Sequence, residues 1–226
     1  MKRNRSVTSR IGFWSGVLTT LLTLWFAIAF GLYQPILHAP WHGIESFAET
    51  FNSAPFLLWV IPCLFLTVSF LTMITCLYSL GQDENKIYGL FALVFAIAYT
   101  TILSSTYYIQ LVVVNYNLSN HSTEGLSLWL FANPYPHSLP GALEGIGYGF
   151  MSLSMIFVSR LFSGNKLSIW LRWTFLFSGL TGLIVFTDPI FPLPLLATLI
   201  IAFANALLLI VAFGITSYWF YNTNKS

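Results

Sequence analysis

Six long apolar segments constrain this chain more than any other feature of its sequence. They lie at about residues 11–33, 55–80, 87–114, 138–162, 168–187 and 193–220. Each is close to or longer than the ~20 residues that cross the ~30 Å hydrocarbon core of a bilayer. Backbone N–H and C=O groups in that core must be satisfied inside the protein, so each segment should be helical. The sequence therefore predicts an all-α polytopic membrane protein, a single transmembrane domain over residues 1–226 built as a bundle of six transmembrane helices.

Charged residues are too scarce to cover a water-facing surface. They make up 7% of the 226 residues, against about 25% in an ordinary soluble domain. The basic residues form no run with the aromatic interleaving of a nucleic-acid surface. The first segment follows a basic N-terminus, as in a signal peptide, but it exceeds the ~7–15 residues of a signal h-region. We expect it to remain as a membrane helix, with the lipid bilayer as the main partner and no role for nucleic acid.

The distribution of basic residues predicts the orientation of the bundle. With six helices, the three loops on one side, at 34–54, 115–137 and 188–192, contain no Lys or Arg, and all nine such residues belong to the other side. Arg172, at the start of the fifth segment, can extend its side chain to that same side. Since cytoplasmic loops carry the excess of Lys and Arg, both termini are predicted to be cytoplasmic, in the inner or plasma membrane.

One outer loop has an amphipathic pattern over about residues 41–51. The apolar residues share one face of a helix and the polar ones the opposite face; these are Trp41, Ile44, Phe47, Ala48 and Phe51 against His42, Glu45 and Glu49. This pattern predicts a short helix on the outer surface. A second apolar stretch, Leu126 to Phe131, is too short to span and is predicted to be interfacial or partly re-entrant.

Glu144 is the one acidic residue inside a long apolar segment. A carboxyl group at this depth is costly unless it is paired, protonated or wet, so it is a functional-site hypothesis by default. The plainer interpretation is a neutral carboxyl that hydrogen-bonds a neighbouring helix. A third interpretation places it close enough to the interface to reach water.

Polar residues of the third segment provide partners for Glu144. Gln110 lies near the outer end of that segment at a depth similar to that of Glu144, and a hydrogen bond between them would be worth ~0.6–2 kcal/mol. Together with Tyr107, Tyr108 and Tyr148, these residues are predicted to line a polar pocket open to the outside. Ordinary contact between helices is the alternative explanation for the same residues.

Glycines at helical spacing surround Glu144. Gly141, Gly145 and Gly149 are four residues apart and share one face, which allows another helix to approach closely. In the last segment Asn205 is the lone amide among alanines, a pattern that predicts a hydrogen bond to another helix.

Metal-ligating residues have no spacing typical of a metal site. His42, Glu45 and Glu49 share one side of the outer amphipathic segment and are weak zinc candidates, so no metal and no cofactor is predicted. Cys63 and Cys76 lie in one predicted helix, point in different directions, and are expected to be packing residues.

Three stretches are similar to those of small prokaryotic multi-pass membrane proteins with six helices. They are Tyr107-Tyr-Ile-Gln-Leu-Val, Asn133-Pro-Tyr-Pro-His-Ser-Leu and Ala142-Leu-Glu-Gly-Ile-Gly-Tyr-Gly-Phe, in the middle third of the chain. The resemblance implies a helical bundle and no particular activity.

Three functions remain open at this point. The leading one is binding or transport of a small solute or ion at Glu144 and Gln110, in the outer half of the bundle. The alternative is a structural or accessory subunit whose Gly141, Gly145 and Gly149 face docks a helix of a membrane-protein partner or of a second copy. A membrane-embedded enzyme comes third, because no His-Glu-x-x-His, Gly-x-Ser-x-Gly or P-loop pattern is present and no catalytic residue is predicted.

Overall fold

The computed structural model describes residues 2–37, 42–81, 83–130, 138–187, 190–191 and 193–223. Within these ranges the chain is helical, with no β-strand. The α-helices are α1 (Lys2–Leu37), α2 (Ile44–Thr50), α3 (Ser53–Leu80), α4 (Lys86–Ile109), α5 (Asn115–Ser119), α6 (Leu139–Val158), α7 (Lys166–Thr187) and α8 (Leu195–Thr223). A π-helical turn, Gln110–Val114, joins α4 to α5, and short 3-10 turns at Asp83–Asn85 and Ser159–Leu161 precede α4 and follow α6.

Six of these helices are long and apolar enough to cross a membrane: α1, α3, α4 with its continuation, α6, α7 and α8. The predicted all-helical chain with six membrane-length segments is thereby confirmed. The helices extend beyond the apolar segments, as where α1 begins at Lys2 and α8 ends at Thr223. Hydropathy marks the part of a helix suited to lipid, whereas the hydrogen-bonded backbone continues past it. Pro62 lies inside the continuous helix α3.

The six long helices form a closed ring in chain order. Each packs against its neighbours in the chain, from α1 to α3, α4, α6, α7 and α8, and α8 packs against α1. Aromatic rings from four of the helices meet inside the ring. The Phe70 ring of α3 lies 5.3 Å from Tyr99 of α4 and 5.9 Å from Phe213 of α8, and Phe213 lies 6.4 Å from Phe175 of α7. The middle of the ring is therefore filled by side chains at this level.

The two ends of the bundle differ in charge. At one end, which we call the basic end, α1 meets α8 at Gly12 and Phe220, and the start of α4 meets Leu161 at Gly89. Arg10, Lys86, Arg160 and Lys166 all lie there. The opposite end, which we call the loop end, is built from α2, α5 and the segment 120–130.

Contacts between separate segments hold the loop end together. The Ser53 hydroxyl donates to Asn115 Oδ1 over 2.5 Å, and His121 Nδ1 lies 3.1 Å from the Ala48 carbonyl oxygen. The predicted amphipathic helix is present as α2. Ala48 is buried and Phe47 packs on the core, while Glu45 and Glu49 are exposed. Its apolar face is thus covered by the bundle itself; Trp41 lies outside the described residues.

The segment 126–130 folds back over the bundle in turns. Leu126 and Leu130 are buried, and Trp129 packs against the core. Since its apolar side chains cover the end of the helical ring, this segment closes the loop end. Phe131, the last residue of the predicted interfacial stretch, lies outside the described residues.

The predicted glycine face is correct in part. A Cβ at Gly149 would lie 3.1 Å from the Phe186 ring of α7, so the backbone there approaches another side chain closely. At Gly145 the same ring is 3.9 Å away, which is ordinary contact distance, and Gly141 is half-buried. The face is therefore occupied by a residue of the same chain, and Gly145 is not a point of close approach.

Closer helix contacts occur at glycines outside that face. A Cβ at Gly147 would lie 2.5 Å from Leu103 of α4, and one at Gly179 of α7 would lie 2.7 Å from the Ser152 backbone oxygen of α6. Small residues let membrane helices approach in this way.

The predicted interhelical bond of Asn205 is confirmed. The Thr181 hydroxyl of α7 donates to Asn205 Oδ1 of α8 over 3.0 Å.

Candidate functional site

The centre of the candidate site is a hydrogen bond between α4 and α6. Tyr107 Oη donates to Glu144 Oε1 over 2.6 Å. Tyr107 is 1% exposed and Glu144 is half-buried. Hydrogen bonds to a carboxylate are short and about twice as strong as neutral ones. The sequence-predicted association of these two residues is therefore present in the structure.

The start of α6 sets the depth of Glu144. The Ser138 hydroxyl accepts a hydrogen bond from the Gly141 amide over 3.3 Å and caps the helix, and Pro140 occupies its first turn. Pro suits the first turn because its missing N–H would have no helical partner there. Glu144 is five positions after Leu139, which places its backbone about 8 Å into the helix at 1.5 Å per residue.

Tyr148 extends the hydrogen-bonded chain by one member. Its hydroxyl lies 2.9 Å from the Tyr107 hydroxyl. A tyrosine has one O–H to donate. Since Tyr107 directs its proton to Glu144, Tyr148 donates to Tyr107. Both O–H dipoles then point toward the carboxyl group, an arrangement that stabilises negative charge on Glu144.

Aromatic rings enclose this chain of hydroxyl groups. The Trp59 ring of α3 lies 6.4 Å from the Tyr107 ring at 86°, and the Tyr99 ring of α4 lies 6.0 Å from the Tyr148 ring. Trp59 and Tyr99 are both at most 1% exposed. These two rings come from α3 and α4 and lie buried beside the hydroxyl groups.

Tyr99 brings a further polar atom to the site. Its hydroxyl is buried and has no hydrogen-bond partner among the described residues. Cys63 of α3, 1% exposed, lies one helical turn after Trp59 on the same helix. Because an unpaired buried hydroxyl is costly, Tyr99 is a group that a bound solute or water could satisfy.

Gln110 does not pair with Glu144, contrary to the prediction. Its Nε2 donates to the Trp129 carbonyl oxygen over 3.0 Å, and its Oε1, fully buried, has no partner among the described residues. The π-helical turn begins at Gln110. The amide therefore joins the helix to the segment that closes the loop end, and it leaves one buried acceptor on the same side of α4 as Tyr107.

Tyr108 lies outside the site. Its side chain is 60% exposed, on the outer surface of the bundle. Successive residues of a helix are about 100° apart, so a neighbour of the inward-facing Tyr107 is directed away from the site. The prediction that Tyr108 lines the pocket was wrong for this reason.

Sequence reasoning missed Tyr99, Trp59 and Cys63 as members of the site. Tyr99 lies two helical turns before Tyr107, and this spacing could have identified it. Trp59 and Cys63 are four residues apart on α3, but no pattern in the sequence marks which face of α3 meets α4.

The outer histidine and carboxylates form no metal site. Within the described ranges, no three His, Cys, Asp or Glu side chains are grouped closely enough to hold a metal ion. His42, Glu45 and Glu49 are exposed at the loop end.

The site thus combines the Glu144 carboxyl group, the Tyr107 hydroxyl that donates to it, the Tyr148 hydroxyl bonded to Tyr107, and aromatic rings. Such a set can bind a small cation by charge and by contact with the rings. Comparison with known protein families, with curated proteins and with solved structures finds no significant match to this chain.

Proposed function

We propose that this chain is an integral protein of a prokaryotic inner or plasma membrane that binds and carries a small cationic solute at Glu144. The observation that supports this most directly is the environment of the carboxyl group. Within the described residues, Glu144 has Tyr107 as its hydrogen-bond partner and makes no ion pair. A buried carboxylate needs a compensating charge. A positively charged ligand would supply it.

The polarity of the hydrogen bonds favours a cation over a neutral or anionic solute. The Tyr107 hydroxyl donates to Glu144 and the Tyr148 hydroxyl donates to Tyr107, which favours the ionised carboxylate and with it a negative potential at the site. An anion would meet that potential without a basic group to offset it. The faces of the surrounding tryptophan and tyrosine rings attract cations as well.

The loop end is the proposed point of entry. Gln110 follows Tyr107 by one helical turn in the direction of the loop end, and its side chain holds the carbonyl of Trp129. Opening of the segment 126–130 would break this bond and expose the site. The π-helical turn at Gln110 supports this assignment, since such turns are frequent at functional sites.

A ligand screen on the purified protein tests the proposal. Butylammonium and tetramethylammonium are expected to raise the Tm, while butanol and butyrate of similar size are not. A ligand at 100 times its Kd stabilises the folded state by ~2.7 kcal/mol. Differential scanning measurements in detergent would report the shift. An equal rise with butanol would indicate an apolar pocket, and no rise with either ammonium probe would contradict the cation site.

The orientation of the bundle is part of the proposal. Because cytoplasmic loops carry the excess of Lys and Arg, we propose that the basic end and both termini lie in the cytoplasm. We expect single cysteines introduced at His42 and at Ser122 to react with a membrane-impermeant maleimide from outside intact cells. A cysteine at Ser163, at the basic end, serves as the control and should react only after the cells are opened. The reverse pattern would overturn the orientation.

The accessory-subunit alternative has less support. It uses the Gly141, Gly145 and Gly149 face to dock a partner helix, yet Phe186 of the same chain already packs against Gly149 and lies near Gly145. Glu144, in contrast, is a carboxyl group in the apolar part of α6 with no basic partner in the described part of the chain.

A further inference from the structure

A groove on the membrane-facing surface runs between α1 and α3, away from the Glu144 site. It has a volume of about 520 Å³ and extends from Val7 to Leu18 along α1. Its walls include Trp14, which is 66% exposed, and Phe65, which is 57% exposed. The eleven helical steps from Val7 to Leu18 span about 16 Å, close to half of the ~30 Å hydrocarbon core. The groove therefore has the length of one leaflet.

The floor of the groove is made by two serines. Ser15 and Ser69 are buried, and their hydroxyls donate to the carbonyl oxygens of Gly12 and Leu66 in their own helices, over 3.0 and 3.1 Å. Because both hydroxyl protons are donated to backbone carbonyl oxygens, the two serines offer no free hydrogen-bond donor to a ligand. Small side chains between large apolar walls leave a crease suited to a flexible hydrocarbon chain.

Arg10 lies at the end of the groove that belongs to the basic end of the bundle. Its side chain is exposed and makes no ion pair within the described residues. A guanidinium group binds a phosphate through two parallel N–H···O bonds, and it is always charged. The groove thus has an apolar length and one cationic end, which matches the layout of a phospholipid.

We propose that this groove binds an anionic phospholipid, with an acyl chain between Trp14 and Phe65 and the phosphate at Arg10. Charge complementarity favours an anionic over a zwitterionic phospholipid, because a zwitterionic headgroup would bring its own cation close to the Arg10 guanidinium. A helix of another protein is a poorer fit. Helices with side chains are about 10–12 Å across, whereas α1 and α3 are directly packed and leave a crease between them.

Native mass spectrometry of the purified protein can test the proposal. The protein is presented with equimolar dioleoylphosphatidylcholine and dioleoylphosphatidylglycerol in micelles, and the bound lipid is counted. We expect the wild type to retain phosphatidylglycerol in preference to phosphatidylcholine. Arg10→Gln should lower phosphatidylglycerol affinity about fivefold, the factor equivalent to the ~1 kcal/mol that a basic residue contributes near an anionic lipid.

A matched control separates this groove from general attraction to the basic end. Arg160 is an exposed arginine at the same end and does not line the groove, so Arg160→Gln should leave lipid retention unchanged. Trp14 is exposed, so Trp14→Ala should leave the fold intact. This variant should retain less of both lipids. Equal retention by Arg10→Gln and wild type would overturn the proposal. So would an equal loss in Arg160→Gln, or a lipid-free dimer in which Trp14 is protected from oxidation.

Discussion

Replacing Glu144 by glutamine is expected to weaken binding of an ammonium probe about 30-fold or more. Truncating one partner of a buried, hydrogen-bonded charge pair costs ~2–5 kcal/mol, and 30-fold corresponds to the lower value. Glutamine keeps the shape of the side chain, and its Oε1 can still accept the hydrogen bond from Tyr107 Oη. The fold should therefore survive. Titration calorimetry with butylammonium would measure the difference.

Controls for this substitution come from the same chain. Glu124 is an exposed carboxylate at the loop end, and Glu124→Gln should bind the probe as the wild type does. Tyr107→Phe removes the donated hydrogen bond without removing the charge, so a smaller loss is expected. If Glu144→Gln binds the probe with wild-type affinity and stability, the carboxyl acts only as a contact between helices and the proposed function is wrong.

A second large effect is expected from Gly179→Ala. The added methyl group would lie 2.7 Å from the Ser152 backbone oxygen and 2.6 Å from Ile156 Cγ1. A backbone atom of a packed helix cannot move aside as the end of a side chain can, so α6 and α7 must separate. Forced overpacking of this kind costs ~1–3 kcal/mol. The Tm in detergent should fall, and because α6 carries Glu144 and Tyr148, binding of the ammonium probe should weaken as well.

Gly214→Ala provides the comparison for this glycine. No atom lies within 4 Å of a Cβ at Gly214, which is on the outside of α8. Alanine is a better helix former than glycine by ~1 kcal/mol, so this variant should be as stable as the wild type or slightly more stable. Equal Tm values for Gly179→Ala and Gly214→Ala would show that the contact between α6 and α7 yields easily and that the packing argument fails.

The six membrane-length helices could be predicted because each apolar run is long enough to cross a bilayer. An apolar run of sufficient length has one stable backbone conformation in lipid. The contact among the side chains of Tyr107, Glu144 and Tyr148 could also be predicted. Glu144 and Tyr148 are one helical turn apart, and polar side chains in membrane helices form hydrogen bonds with one another.

The wrong predictions for Gln110 and Gly145 have a common physical origin. Gln110 was paired with Glu144 from its depth alone, but its actual partner is a backbone oxygen in a loop, at Trp129. The path of a loop depends on packing that local sequence does not encode. Likewise, the spacing of Gly145 and Gly149 defines a face without identifying what covers it, and the side chain of Phe186 determines that only Gly149 is tightly packed.

The ring of helices has a consequence for the order in which the chain assembles. Most of the packing joins segments that follow each other in the chain, so successive helical hairpins can form as they enter the membrane. The seam between α1 and α8 is different, because it joins two helices that are far apart in the chain. Until α8 is inserted, the side of α1 that carries Gly12 and Gly16 lacks the Phe220 and Ser217 contacts that later cover it. Closure of the ring therefore waits until α8 has left the ribosome.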